Sequence, residues 1–387
     1  MEIAKRVRQF KWTKKARPQT WQEELLFFNN DDYFNDLLDG VNHAQHTVLF
    51  ETYIFERGHL ADCLTRALSA AVARGVTVQL LVDGVGSPAF WRDYGHTLSA
   101  QGVQVRLFRA WPWHFRHRRL TWWKAAEEFL RRWRRLNNGN HRKTCLIDGQ
   151  VAWISSCNVS DVHLPSRVGS RAWIDTGMRV RGPELKRLER SFVVAFHHQL
   201  WQSPFQPLGS LLFLNSSILL RRSMKHEQLR RLRHAKEKVW LQTPYFVPVR
   251  PFYRRLRRLA KKGVDVRLMV PATSDVPLIR LLSYAFFRKL LLAGVRVFEF
   301  QPSFMHQKIS QIDDWASVGS SNLNHRSFFH DLEVDVVVSQ ARNRELLRQK
   351  FLREQEQSRQ LQLTDLTRLK WYEHWLGRFL FLLKYWS

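Results

Sequence analysis

The sequence predicts an α/β protein made of two related domains, and three observations carry that prediction. Short β-branched runs alternate with helical runs, such as residues 60–73 and 252–261. This is the pattern of a mixed sheet with helices on both faces. The chain also repeats itself at the length of a domain, and its 387 residues suffice for two cores. Finally, one chemistry-bearing string, His-x-Lys-x-x-x-x-Asp, occurs once in each half: His141-Arg-Lys143-Thr-Cys-Leu-Ile-Asp148 and His306-Gln-Lys308-Ile-Ser-Gln-Ile-Asp313.

The repeat fixes the order of elements. Leu25-Leu-Phe-Phe-Asn-Asn30 matches Leu211-Leu-Phe-Leu-Asn-Ser216. Ala44-Gln-His-Thr-Val48 and Ala235-Lys-Glu-Lys-Val239 each open a strand. Arg74-Gly-Val-Thr-Val-Gln-Leu-Leu-Val82 matches Lys262-Gly-Val-Asp-Val-Arg-Leu-Met-Val270, and Gly102-Val-Gln-Val-Arg-Leu-Phe108 matches Gly294-Val-Arg-Val-Phe-Glu-Phe300. Each half thus reads strand, helix, strand, helix, strand, helix, strand, motif. A period this long belongs to duplicated domains, not to a solenoid. The expected divisions are a basic, aromatic arm over 1–22, a first domain over 23–204, a second over 205–345 and an amphipathic helical tail over 346–387. The proline-marked turn Ser203-Pro204-Phe205-Gln206-Pro207 sets the boundary between halves. Only the first half carries an insertion, residues 111–140, with Trp111, Trp113, Trp122, Trp123 and Trp133 among many arginines. It leads into the first motif and should border the mouth of the site.

In a strand, residues two apart share a face, so His141 and Lys143 should project together, as should His306 and Lys308. An imidazole serves as nucleophile or proton donor near neutral pH, and a lysine beside it offers positive charge to phosphate oxygens. Each motif is followed by a small-residue pair and an asparagine: Ser155-Ser156-Cys157-Asn158 and Gly319-Ser320-Ser321-Asn322. Ser156, Asn158, Ser320 and Asn322 could add neutral hydrogen bonds to a phosphate. Asp148 and Asp313 lie an odd number of residues from their histidines, so alternation turns them away and gives them a supporting role. Asp148-Gly149 reads as a hairpin turn. Glu51 and Asp83 follow strands that should end near the site, either touching a headgroup or capping neighbouring elements.

The paired strings resemble the phospholipase D superfamily, and within it the bacterial cardiolipin synthases of the short type without N-terminal membrane spans. Phe50-Glu-Thr-Tyr-Ile-Phe55, Leu81-Val-Asp-Gly-Val-Gly-Ser87, Gln242-Thr-Pro-Tyr-Phe-Val-Pro248 and Val318-Gly-Ser-Ser-Asn-Leu323 add to the likeness. It runs from about residue 24 to about residue 340. Two departures stand out: Ser155 replaces the usual glycine, and the stretch from Asp313 to Gly319 is one residue short. The resemblance implies two α/β/α domains in a pseudo-twofold arrangement with an interfacial C-terminal helix. It implies catalytic His141, Lys143, Asp148, His306, Lys308 and Asp313, with His141 as nucleophile and His306 as general acid in a ping-pong transfer. Glu333, 11 residues after Asn322, and Asp175 are the expected acceptors that orient the histidines.

Composition sets the partner class. Sixty-two Lys and Arg against 34 Asp and Glu give a formal charge of +28, a surface that seeks polyanions. The 16 tryptophans favour an anionic phospholipid membrane over nucleic acid, because amphipathic rings settle at the water–lipid boundary. The C-terminal run from Leu369 to Trp386, with Lys370, Arg378 and Lys384, is too charged for an easy span and reads as a helix lying in the interface. No secretory signal is evident, and three cysteines (Cys63, Cys145, Cys157) fit a reducing compartment. The expected location is the cytoplasmic face of the cell membrane, peripherally bound. The sequence carries no Walker-type or dinucleotide glycine loop, so no nucleotide, other cofactor or metal is expected. The substrate that the resemblance implies is phosphatidylglycerol, used with a second phospholipid or alcohol to make cardiolipin. A nuclease of the same superfamily, or a phosphatidylserine synthase or phospholipid hydrolase, is the alternative.

Overall fold

A computed structural model describes residues 20–109, 138–198, 210–215 and 221–367. The body of the 111–140 insertion, the boundary at 203–207, most of the N-terminal arm and the run from Leu369 to Trp386 lie outside the described residues.

The first half begins with strand β1 (Glu23–Phe27), helix α1 (Asn30–His43), β2 (Thr47–Thr52), α2 (His59–Ala73), β3 (Thr77–Val82), α3 (His96–Ala100) and β4 (Gln104–Leu107). Then come the hairpin β5 (Thr144–Ile147) and β6 (Val151–Ser155), β7 (Gly177–Arg181) and α4 (Leu185–Phe196). The second half repeats the plan with β8 (Leu212–Leu214), α5 (Arg221–His234), β9 (Lys238–Gln242), α6 (Arg250–Lys261), β10 (Asp265–Pro271), α7 (Pro277–Leu291) and β11 (Arg296–Phe300). It continues through the hairpin β12 (Ile309–Ile312) and β13 (Trp315–Gly319), α8 (His325–Phe329), β14 (Val334–Val337), α9 (Ala341–Glu356), β15 (Ser358–Gln360) and α10 (Leu363–Thr367).

The strand orders are β1-β7-β6-β5-β2-β3-β4 and β8-β14-β13-β12-β9-β10-β11-β15. Apart from β15 they superimpose element for element, which is the duplication seen in the sequence. In each sheet the βαβ strands pair in parallel and the motif hairpin joins them antiparallel. Alternation along the strands feeds two cores. Val48, Phe50, Leu80, Cys145 and Trp153 pack against α1 and α2. Leu49, Leu81, Leu146 and Ile154 face the other way, into a core continuous with the second domain.

Two boundaries differ from expectation. The tail does not begin at 346: α9 runs through it, with Leu347 and Phe351 buried, and β15 adds a strand to β11. The apolar positions of α9 bury against the sheet, so this segment is part of the second domain. At the other end Trp21 is core, not arm, and its Nε1 donates to the Val337 carbonyl at 3.0 Å. Glu24 reaches the same region and accepts from the Ser339 N–H at 2.8 Å and Asn343 Nδ2 at 2.9 Å. The start of the chain is thereby tied to the second half.

The motif aspartates sit in the hairpin turns, with φ of 52° at Asp148 and 51° at Asp313, a left-handed conformation that aspartate tolerates. Asp148 accepts the N–H groups of Gln45, His46 and Thr47, and Asp313 those of Lys236, Glu237 and Lys238. Each carboxylate caps the chain entering the adjacent central strand. The shorter second hairpin loses a residue in this turn, not in the strands. Burial pushes Asp148 upward, but the three N–H donors outweigh it and hold its carboxyl below the ordinary value. Asp148→Ala should therefore cost roughly 1–2 kcal/mol of stability in chemical denaturation. Because the folded pKa is depressed, that difference should be full above about pH 4 and shrink as pH falls through the folded value.

Candidate active site

His141 and His306 each precede their motif strand instead of lying within it, since β5 starts at Thr144 and β12 at Ile309. Their backbones are pinned across the domain boundary. His141 N–H donates to the Leu332 carbonyl at 2.9 Å, and His306 N–H to the Ile174 carbonyl at 2.8 Å. The residue after each acceptor is the orienting carboxylate. His141 Nδ1 lies 3.1 Å from Glu333 Oε2, and His306 Nδ1 lies 2.9 Å from Asp175 Oδ1. The pairing is crossed: the second half holds the first half's histidine, and the reverse. Asn140 and Leu332, and Ile174 and Met305, form matching parallel bridges, so the crossing follows the pseudo-twofold.

The tautomers follow from the partners. His141 Nδ1 also lies 3.1 Å from the Ser320 carbonyl, which can only accept, so Nδ1 carries the proton and Nε2 the lone pair. The Lys308 ammonium sits 2.8 Å from His306 Nε2, placing a lone pair there too. Lys143 Nζ donates to the His141 carbonyl at 2.7 Å, and Lys308 Nζ to the His306 carbonyl at 2.5 Å. Aromatic rings wall both imidazoles: Tyr53 lies 5.0 Å from His141, and Trp173 lies 5.2 Å from His306. The His141 side chain keeps 12% exposure against 4% for His306.

A family described as "Cardiolipin synthase, PLD-like domain" matches residues 37–168 and 229–355, one copy on each half and well over half of the chain. The chain belongs to this family. Cardiolipin synthase A of Pseudomonas putida strain GB-1 is 30% identical over 323 residues, which are 81% of this chain and 64% of that protein. Cardiolipin synthase A of Pseudomonas aeruginosa strain LESB58 is 30% identical over 322 residues, 81% of this chain and 62% of that protein. The chain therefore spans less than two thirds of the length of these curated relatives. Among solved structures, phosphatidylserine synthase of Haemophilus influenzae Rd KW20 is similar at a TM-score of 0.68 and 12% identity, over 95% of this chain and 94% of that one. Polyphosphate kinase from Porphyromonas gingivalis reaches 0.57 at 14% identity, over 86% of this chain and 50% of that one. These two likenesses show the fold.

Other expected site residues of this family member take different places. Asp148 and Asp313 stand at the hairpin turns with their oxygens on backbone N–H groups, so their place in the catalytic set is corrected to a structural one. Ser156 Oγ donates to Asp175 Oδ1 at 2.5 Å and Ser320 Oγ to Glu333 Oε2 at 2.5 Å. The serine hydroxyls grip the orienting carboxylates and are not turned to a phosphate. Asn158 Oδ1 accepts from the Ile54 N–H at 3.4 Å. Asn322 is buried and its Oδ1 has no hydrogen-bond partner among the described residues. Glu51 takes bonds from Thr144 Oγ1 and Asn140 Nδ2 and pairs with the buried Arg142 guanidinium, bracing the motif strand, whereas Asp83 caps the turn after β3 by accepting the N–H groups of Val85 and Gly86. The serine at 155 is accommodated because its neighbour across the ladder is Gly177, whereas Gly319 stands opposite Asp335. A Cβ on Gly319 would come within 2.3 Å of the Val334 carbonyl. One glycine per strand pair suffices, and the two halves place it on different strands.

Three further groups complete the site: Asp83, which the sequence already places near it, and Asp331 and His163, which it does not single out. Asp83 accepts both Arg109 (2.8 and 2.9 Å) and the Asn140 N–H (2.9 Å). One buried carboxylate thus clamps both stems of the insertion beside His141. Asp331 accepts the Gly139 N–H at 2.8 Å and Arg326 at 2.7 Å. His163, fully buried, donates to Asp175. The available signal was the repeat itself: His163 follows Asn158 by the same interval as Ser327 follows Asn322. Cys157, His163 and Asp175 offer ligand atoms within 4.8 Å of one another. Cys157 Sγ is on Asn30 Oδ1, and the other two bond each other, so the cluster is a hydrogen-bond relay.

Burial dominates the electrostatics. It pushes both histidines well below their ordinary value, with Lys143 and Lys308 adding for His141 and Lys308 for His306. Burial pulls Lys143 down to about 7 and Lys308 to about 8. Burial raises Glu333 to about 8. Asp175 goes the other way: burial opposes ionisation, but the His306 and His163 donors outweigh it and hold the carboxyl well below the usual range. Between pH 6 and 9 the site therefore loses two cations and gains one anion. Sulfate, a dianion throughout that range, should bind roughly tenfold or more weakly at pH 9 than at pH 6 by calorimetry. An unchanged affinity would show that the lysines keep their charge.

Proposed function

We propose that this chain is a membrane-associated phosphatidyltransferase that makes cardiolipin from phosphatidylglycerol and a second phospholipid or alcohol through a phosphohistidine. The observation that carries the reading is the crossed anchoring: each histidine is held by a carboxylate of the other half, so the two imidazoles belong to one site. Family membership and the cardiolipin synthase A relatives support the substrate class.

The His141 Nε2 lone pair attacks phosphorus, and the bond from phosphorus to the leaving alcohol breaks. The leaving oxygen takes a proton from His306 Nε2 as the Lys308 ammonium, hydrogen-bonded to that nitrogen, supplies one to it. In the second step His306 Nε2 takes the proton of the incoming alcohol, whose oxygen attacks phosphorus while the phosphorus–nitrogen bond breaks. Two features support this division of roles. Lys308, 2.8 Å from His306 Nε2, keeps a proton within one hydrogen bond of the nitrogen that must donate. His141 Nε2 has no such bond among the described residues. Lys143 and Lys308 supply charge to the phosphate oxygens.

The high positive charge (+28) favours a second reading, a nuclease using the same histidine pair on a nucleic-acid backbone. A phosphatidylserine synthase or phospholipid hydrolase would differ only in the accepting alcohol. In a host lacking its own cardiolipin synthases, the wild-type chain should restore cardiolipin on lipid extraction, and His141→Ala and His306→Ala should each lower it at least 100-fold, roughly 3 kcal/mol or more in barrier. Normal cardiolipin from either variant would refute the paired mechanism. For the membrane, no helix among the described residues is long and apolar enough to cross a bilayer. Deleting 368–387 should reduce sedimentation with phosphatidylglycerol vesicles, and plasmid nicking should be absent. Strong nicking without vesicle binding would favour the nuclease.

A further inference from the structure

His163 is a buried histidine that the transfer steps do not use. It ends the turn Asp161–His163, and both ring nitrogens are engaged. The Asn158 N–H, which can only donate, points at Nε2 at 3.2 Å. Nε2 therefore carries the lone pair and Nδ1 the proton. That Nδ1–H donates to Asp175 Oδ2 at 2.7 Å, while Asp175 Oδ1 takes His306 Nδ1 at 2.9 Å and Ser156 Oγ at 2.5 Å. The backbone around His163 is fixed as well, since Asn30 Nδ2 donates to its carbonyl at 2.8 Å. Trp173 packs edge-on against the ring at 5.3 Å.

The second half builds the same relay from a hydroxyl. The Asn322 N–H donates to Ser327 Oγ at 3.1 Å, and that hydroxyl donates to Glu333 Oε1 at 2.6 Å. The two half-sites are thus alike in connectivity and unlike in chemistry. An imidazole is a rigid two-ended spacer, and its N–H is a stronger donor than a serine hydroxyl that can rotate.

We propose that His163 is a positioning residue for His306: by tying one oxygen of Asp175 to the backbone of Asn158, it fixes the other oxygen on His306 Nδ1 and sets how readily that ring gives and takes the alcohol proton. A carboxylate gripped at one oxygen turns about its Cβ–Cγ bond, whereas one gripped at both does not. Each donor also withdraws part of the anion's charge. Without the His163 N–H, more of that charge falls on His306, which raises its proton affinity and loosens its orientation. Besides Asp175, the titratable and charged groups that share this pocket are Lys143 and Lys308 from the two motifs, His141, Glu333, Asp275, Cys157, and Tyr245 from the loop after β9. All of them remain in the variants below.

The inference rests on the transferase reading, and the experiment separates the two. His163→Phe keeps ring volume and removes the donor; His163→Asn keeps an N–H where Nδ1 stands. The phenylalanine variant should lower kcat about 10–100-fold with KM within about twofold, and should move the His306-dependent limb of the pH profile to higher pH. The asparagine variant should recover most of both. His163→Leu replaces the phenylalanine variant if the latter does not fold. Imidazole NMR of the wild-type protein supplies a readout independent of turnover: His163 should be the neutral Nδ1–H tautomer at pH 7, and the His306 titration should shift in the donor-less variant. An Nε2–H or protonated His163, or an unshifted His306 titration with unaltered kcat, would overturn the role of His163. Loss of cardiolipin formation by wild type would instead strike at the transferase reading and leave the NMR result to decide this one.

Discussion

The structure depends on two imidazole–carboxylate contacts that cross between the halves. His141 is held by Glu333 and His306 by Asp175, and in each case the backbone N–H of the histidine bonds the residue just before that carboxylate. A duplicated domain that kept its own histidine and carboxylate together would make two separate half-sites. Exchanging them makes the site an obligate product of both copies. The core likewise runs without a break from the first sheet into the second, and Trp21 and Glu24, at the start of the first domain, are bonded to Val337, Ser339 and Asn343. Separation of the domains would break both contacts at once.

The same geometry concentrates charge where burial makes it costly. Two lysines, two histidines and two carboxylates share one largely buried pocket. The site answers by giving up charge: the lysines sit near 7 and 8, Glu333 near 8, and the histidines lie low. Only Asp175, with three donors, stays firmly ionised. A phosphodiester entering this pocket would return the missing anion and draw the lysines back to their charged forms, so binding and protonation are linked. The further buried pairs, Asp83 with Arg109 and Glu51 with Arg142, hold the loop that delivers His141. Removing one partner of such a pair leaves an uncompensated buried charge, a loss of roughly 3–5 kcal/mol. They are therefore strong fixtures for a chain segment that enters from the insertion.

The duplication is not a perfect symmetry, and its departures gather around the two histidines. The orienting groups are an aspartate and a glutamate, the relays behind them an imidazole and a hydroxyl, and of the two rings only His306 has a lysine on Nε2 among the described residues. The proposed division into nucleophile and acid rests on these differences. The differences lie behind the rings, not in the motif itself, which reads almost identically in both halves.

Much of this was legible in the sequence. The alternation of runs gave two mixed sheets, the internal matches gave their equivalence, and the doubled motif named the histidines and lysines. Asp148-Gly149 could be read as a hairpin turn, but strand parity did not relate the aspartates to the histidines, which precede their strands. These properties are local: they depend on residue type and on spacing along one segment, and backbone periodicity translates spacing into direction. What only the tertiary structure decided are the pairings between segments far apart in the chain. The exchange of carboxylates, the hold of Ser156 and Ser320 on them, the His163 relay and the Asp83 clamp each join groups whose separation along the chain says nothing about their distance in space. The shifts in proton affinity follow from the same cause, because desolvation belongs to a closed pocket and no single stretch of sequence encloses one.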